Sequence, residues 1–295
     1  ITVFNKMDKI KYDQKLYIKI RSDLDSFLSG LGISCITDIP VSSKVGDNVV
    51  KKSKNMPWFS GMPFIDILDN FENSGLVVSK HIRFPVQDIY KIGDKRVIVG
   101  KIELGSISKG IDLLFLPSNE RAKVKSLEIW PKAKKKYFAG DSVGITLDEP
   151  IFVDKGNLAS DLMSPPKLMN RFESNMFWLS EKKINFKSKY IMKLNTGEYE
   201  IFVNKVKNVI DTDSLKSKDN TEVSKNDVCE VIIHSSQFIP MDDYSFNKST
   251  ARFCLLDNEE IVAGGIIDLR NYPDQREKKE EIRKNIIPEN YNLNE

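Results

Sequence analysis

The chain has 295 residues, 40% hydrophobic and 29% charged, an ordinary balance for a folded globular protein with material for two or three domain cores. A net charge of +3 excludes the strongly basic surface that would hold nucleic acid or an anionic membrane, and neither is expected as a partner. Cys35, Cys229 and Cys254 form no C-x-x-C pair, no apolar run reaches a membrane-spanning length and no signal peptide is visible, which points away from zinc or disulfides and towards a reducing cytoplasm.

The first element is the short apolar strand Ile1-Thr2-Val3-Phe4, followed by Asn5-Lys6-Met7-Asp8. This is the N-K-x-D pattern by which GTPases read guanine. Guanine offers two adjacent donors, N1–H and its exocyclic amine, and the carboxylate of Asp8 can accept both. Adenine would leave that acceptor unpaired. Lys6 can lay its methylene stem along the base, and Asn5 has a donor and an acceptor with which to tie the loop. In the GTPase order, the phosphate loop and both switch segments precede this motif. A start in mid-strand without an initiator Met reads as part of a longer gene product.

Apolar residues Leu16, Ile20, Leu24, Phe27, Leu28 and Leu31 recur at three- and four-residue steps, predicting an amphipathic helix over 13–31 that Gly30 and Gly32 close. A strand is expected from Ile33 to Val41, and a second helix near Pro63 with Phe64, Ile67, Leu68 and Phe71 as its buried stripe. The result is β-α-β-α, the closing units of a parallel α/β domain. After the second strand comes Ser42-Ser43-Lys44. GTPases place an S-A-x segment here, where small side chains let backbone N–H groups approach guanine O6. Ser43 replaces the usual Ala. Two guanine elements in order, each at a strand end with one helix between them, specify far more than either alone.

From about 80 to 268 helical periodicity gives way to short apolar runs such as Val97-Ile98-Val99 and Leu113-Leu114-Phe115-Leu116. Gly105, Gly110, Gly140 and Gly156 fall where hairpins would turn. Closed antiparallel barrels are expected, divided at Ser164-Pro165-Pro166. Beyond Leu269 the chain is highly charged and reads as a linker or short helix, with Arg276 to Glu281 a solvated stretch.

The run Val41 to Val50, then Met56-Pro57-Trp58-Phe59-Ser60-Gly61, resembles the translation-factor superfamily of GTPases, in the branch of elongation factor 1-alpha and the GTPase subunit of bacterial sulfate adenylyltransferase. Arg83 to Asp88 resembles the opening of the second domain in that branch, Gly100 to Gly105 its G-R-V-x-x-G hairpin, and Phe138 to Val143 and Asp154 to Leu158 its later turns. Phe177-Trp178-Leu179-Ser180-Glu181, Thr250-Ala251-Arg252-Phe253 and Val262 to Ile267 are similar to the sulfate enzyme's third domain, though Ala251 departs from the usual Gly. The resemblance implies the C-terminal remnant of a P-loop GTPase α/β domain at 1–76, two antiparallel β-barrels (elongation-factor domains 2 and 3) at 77–162 and 163–269, and a charged tail or linker at 270–295. It implies GTP and Mg²⁺ as cofactors of the intact protein, with Asn5, Lys6, Asp8, Ser42, Ser43 and Lys44 at the guanine. It also implies an ATP-sulfurylase catalytic (small) subunit as partner. Some members carry a fused adenylylsulfate kinase at this end. The alternative within the branch is an elongation factor that delivers aminoacyl-tRNA.

No G-x-x-x-x-G-K-[ST] occurs, so this portion is expected to lack phosphate and Mg²⁺ sites and activity of its own, with no catalytic or metal residues. The D-x-x-G match Asp141 to Gly144 reads as a hairpin turn. Lys132 to Lys136 reads as a solvated hairpin tip, not an RNA patch. His81 and His234 read as structural or surface residues. Trp58 and Trp130 read as packing residues, Trp58 pinning the junction between the α/β part and the first barrel.

Overall fold

A computed structural model describes residues 1–30, 35–71, 79–129, 134–210, 221–279 and 281. The chain divides into two compact units, Ile1–Gly75 and Leu76–Glu295.

In the first unit β1 (Thr2–Phe4) leads through a 3-10 turn, Met7–Ile10, into α1 (Gln14–Gly30), then β2 (Asp38–Pro40) and α2 (Phe64–Asp69). β1 and β2 pair in parallel, Val3 opposite Ile39. The expected order β-α-β-α is present, with a shorter second strand. Ile33, Ser34, Leu31 and Gly32 lie outside the described residues. The buried stripe of α1 differs from the predicted one. Tyr17 is buried at 5% exposure, whereas Leu16 and Ile20 are exposed at 37% and 44%. A two-stranded sheet offers partners to a narrow arc of the helix, and Tyr17 takes it, with its ring edge-on to Phe4 and its hydroxyl on Asp38. In α2 only Ile67 is fully buried, while Leu68 and Phe71 stay exposed.

Among its described residues the second unit is built from strands, with a short helical segment at 276–279. Its first barrel uses β3 (Arg83–Ile92), β4 (Lys95–Lys101), β6 (Asp112–Leu116), β7 (Glu120–Glu128), β9 (Ser142–Leu147) and β10 (Leu158–Ser160). They close in the order β10-β3-β4-β9-β7-β6, with β5 (Ser106–Ser108) and β8 (Lys136–Phe138) paired as a separate ribbon. The second barrel closes as β11-β14-β13-β12-β15-β16, from β11 (Lys167–Trp178), β12 (Tyr190–Leu194), β13 (Gly197–Ile210), β14 (Val228–Met241), β15 (Arg252–Asp257) and β16 (Glu260–Asp268). Alternation puts Phe84, Val86, Ile98, Phe115 and Ile145 inside the first barrel, and Phe172, Met192, Val203, Val231 and Leu255 inside the second. The four glycines expected at turns all have positive φ, between 75° and 96°. At Gly105 a Cβ would also stand 2.1 Å from the carbonyl oxygen of His81, so the position requires glycine twice over.

Several contacts among the described residues tie the barrels together. The buried Arg83 guanidinium donates from Nε to Asp242 Oδ2 at 2.8 Å and from Nη2 to Asp242 Oδ1 at 2.8 Å. Its Nη1 donates to Ile82 O at 2.8 Å, and Phe246 lies over the group at 4.9 Å. Gly156 meets Gly197 closely, and the Tyr199 hydroxyl donates to Gly156 O at 3.2 Å. Leu114 and Leu116 pack on Leu168.

The segment after Leu269 is more engaged than its charge predicts. Gln275 Oε1 accepts from Asn170 N, Arg276 Nη2 donates to Pro166 O, and Lys279 Nζ donates to Pro117 O in the first barrel. The charges sit on long stems that reach backbone carbonyls across the barrel pair, a use that composition alone does not reveal.

Candidate guanine-binding site

The parallel pairing brings the carboxyl ends of β1 and β2 side by side, and the two loops that leave them are stitched together. Asn5 Oδ1 accepts the backbone N–H of Ser43 at 3.1 Å and its hydroxyl at 3.0 Å. The buried Ser42 hydroxyl donates to Asp8 Oδ1 at 2.7 Å. Met7 N donates to Val41 O at 3.1 Å, and the Met7 side chain is buried against Tyr17 and Met56. Lys6 adopts the left-handed conformation at φ 68°, and its N–H donates to Asn5 Oδ1 at 2.7 Å. That conformation costs a non-glycine residue about 1–2 kcal/mol, offset here by the bonds on either side. Lys6 and Lys44 are both exposed. Asp8 Oδ2 has no hydrogen-bond partner among the described residues, leaving one carboxylate oxygen for an incoming donor pair.

The structure thus brings Asn5, Asp8, Ser42 and Ser43 into direct contact, with Lys6 and Lys44 flanking them. It also shows a buttress that sequence reasoning missed. Asp47 Oδ2 accepts the Tyr12 hydroxyl at 2.8 Å, and Asp47 Oδ1 accepts the Ser53 hydroxyl at 2.6 Å. The Ser53 bond, followed by those from Tyr12 and Asn55, holds the Asp47 carboxyl below the usual range against the opposing effect of burial. Ser42 N donates to Asp47 O, and Gly46 N to Ser42 O. Buried Asn48 donates to Pro40 O and accepts from Ser53 N. The Gly46-Asp47-Asn48 run was visible, but its partner Tyr12 lies 35 residues from Asp47 and no local pattern joins them.

Trp58 packs against Tyr17 at 5.3 Å between ring centroids and donates from Nε1 to Tyr12 O at 3.2 Å, both partners in its own unit. Trp130, Lys132 and Ala133 lie outside the described residues. Lys134 Nζ sits over the ring of buried Tyr137 at 6.0 Å. Asp141 closes its turn by accepting the N–H of Phe138 at 2.9 Å. His81 Nδ1 lies 3.5 Å from Asp161 Oδ1 at the barrel junction, whereas His234 is exposed on β14.

Known proteins share parts of this sequence and fold. Residues 171–268 match the family GTP-eEF1A C-terminal domain-like. The chain is 30% identical over 272 residues to "Sulfate adenylyltransferase subunit 1" of Alteromonas mediterranea, covering 91% of this chain and 58% of that protein. It is 29% identical over 281 residues to the protein of the same name from Bacteroides thetaiotaomicron, with the same two coverages. The chain therefore spans little more than half the length of the curated relatives it matches. Among solved structures, Sup35 complexed with GDP superposes with a TM-score of 0.61 at 22% identity, over 90% of this chain and 68% of that one. That likeness shows the fold alone.

Proposed function

From a chain homologous to sulfate adenylyltransferase subunit 1, with the translation-factor GTPase fold, we propose the guanine-reading and two-barrel portion of a GTPase subunit that drives sulfate activation in the cytoplasm. The intact subunit would couple GTP hydrolysis to formation of adenosine 5′-phosphosulfate from ATP and sulfate. That reaction is uphill, and coupling requires the GTP and GDP states to bind a catalytic partner's intermediates with different affinity. The observation that carries the reading is the pair of loops at adjacent parallel strand ends, cross-bonded through Asn5–Ser43 and Asp8–Ser42.

The residues fit a guanine. Asp8 keeps one carboxylate oxygen without a partner among the described residues, and exposed Lys6 can cover a base plane. The phosphate loop that would hold a triphosphate and its Mg²⁺ does not occur in this sequence. Alone, the chain binds GTP negligibly; micromolar affinity in a titration would refute this. The partner assignment is tested by capture of an ATP-sulfurylase catalytic subunit against capture of aminoacyl-tRNA. The match over 171–268 to the GTP-eEF1A C-terminal domain-like family supports the elongation-factor alternative. Binding of aminoacyl-tRNA without the catalytic subunit would select it.

A further inference from the structure

Where the outer faces of the two barrels meet lies a cleft of ≈ 460 Å³, within the size range of small-molecule sites. On β15, Arg252 and Cys254 share a face, two residues apart, and Lys193 of β12 stands opposite Cys254 in register. The first barrel contributes Lys101 from the end of β4, with Glu103 beyond it. The lining therefore carries three cations against one carboxylate.

These cations are available. Lys101 pairs with Glu103 at 3.5 Å and Lys193 with Glu198 at 3.0 Å, but both ammonium groups are about half exposed, at 53% and 45%. Such pairs are weak and exchange readily for a stronger anion. Arg252 has no carboxylate in ion-pair range among the described residues. Its guanidinium lies 5.7 Å from the Tyr244 ring centroid, and Nη2 is 3.4 Å from the Tyr244 hydroxyl. A planar guanidinium with two lysines alongside is suited to paired phosphate oxygens. Gln87, Asn195 and Ser249 add neutral polar groups, while Pro85 and Cys254 form a less polar wall.

We propose that this inter-barrel cleft binds a nucleoside polyphosphate, with its phosphates on Arg252, Lys193 and Lys101 and its nucleoside along the Pro85–Cys254 wall. The site is separate from the guanine loop and does not rest on its assignment. The full chain is titrated by calorimetry at low salt with ADP, whose base the guanine loop rejects, and with pyrophosphate. In parallel, alkylation of Cys254 and of Cys35 is followed by mass spectrometry. ADP is expected to saturate one site, to bind more tightly than pyrophosphate and to slow alkylation at Cys254 but not at Cys35. Arg252→Ala is expected to weaken ADP about tenfold, Arg252→Lys less, and Lys101→Gln measurably, each with unchanged thermal unfolding. Non-saturable binding, unchanged Cys254 reactivity or indifference to Arg252→Ala overturns the site. Equal affinity for pyrophosphate and ADP overturns the nucleoside contact.

Discussion

Replacing Asp242 with Ala strands a buried cation. Arg83 is 1% exposed and sends Nε and Nη2 to Asp242, and the Thr250 hydroxyl donates to the same carboxylate at 2.6 Å. Removing one member of a buried pair costs about 3–5 kcal/mol, because the survivor's charge is left without compensation. Two features lower the figure. Asp161 Oδ2 lies 3.8 Å from Nη1, and the Phe246 ring covers the guanidinium at 4.9 Å. A loss of about 3 kcal/mol follows. With a urea slope of about 2–3 kcal/mol/M, the midpoint of the barrel transition should fall by about 1–1.5 M, read by circular dichroism. The double substitution Arg83→Met, Asp242→Leu should recover most of this, since an apolar pair carries no desolvation penalty. A midpoint within about 0.3 M of wild type for Asp242→Ala would refute the account.

Three further outcomes follow from neighbouring sites. At Asp161, burial opposes ionisation, but the N–H groups of Ile82 and Ser164 and the imidazole of His81 outweigh it and leave the carboxyl below its usual range. A depressed folded value stabilises above the unfolded value and is lost as pH falls through the folded one. Asp161→Asn should therefore be less stable at pH 7, with the gap closing below about pH 4 in denaturation curves. Glu173 behaves oppositely: its bond with Glu230, then burial, raise it despite Lys207. Its contribution is present at low pH and lost as pH rises, so Glu173→Gln should gain on wild type between pH 4 and 7. Gly105→Ala should cost more than about 2 kcal/mol in thermal or urea unfolding, because strain and the His81 carbonyl act together. Gly110→Ala, with open space around it, should cost about 1 kcal/mol; equal costs would remove the role given to His81 O.

The barrels were legible because alternation and glycine turns are local signals, and each buried residue such as Phe84 or Ile145 announces itself within a few neighbours. That Asn5, Asp8, Ser42 and Ser43 would meet was legible for a different reason: each follows a strand, and the two strands were expected to pair in parallel, which sets the two loops side by side. Periodicity misplaced part of the buried stripe of α1 because it reports which helix face could be buried, whereas Tyr17, not Leu16 or Ile20, finds the sheet to pack against. Asp47 with Tyr12, and Arg83 with Asp242, were illegible because nothing local ties residues 35 and 159 positions apart.

The β1–β2 sheet has only three residue pairs, whereas β11 alone matches ten residues of β14. A two-stranded sheet is marginal by itself. In native-state hydrogen exchange, amides of Thr2 to Phe4 and Asp38 to Val41 should open at lower free energy than those of the second barrel. The loops that would read a base are anchored to this softer sheet. Any guanine affinity then scales with the fraction of molecules in which β1 and β2 are paired, so whatever orders those two strands also raises the affinity of the site.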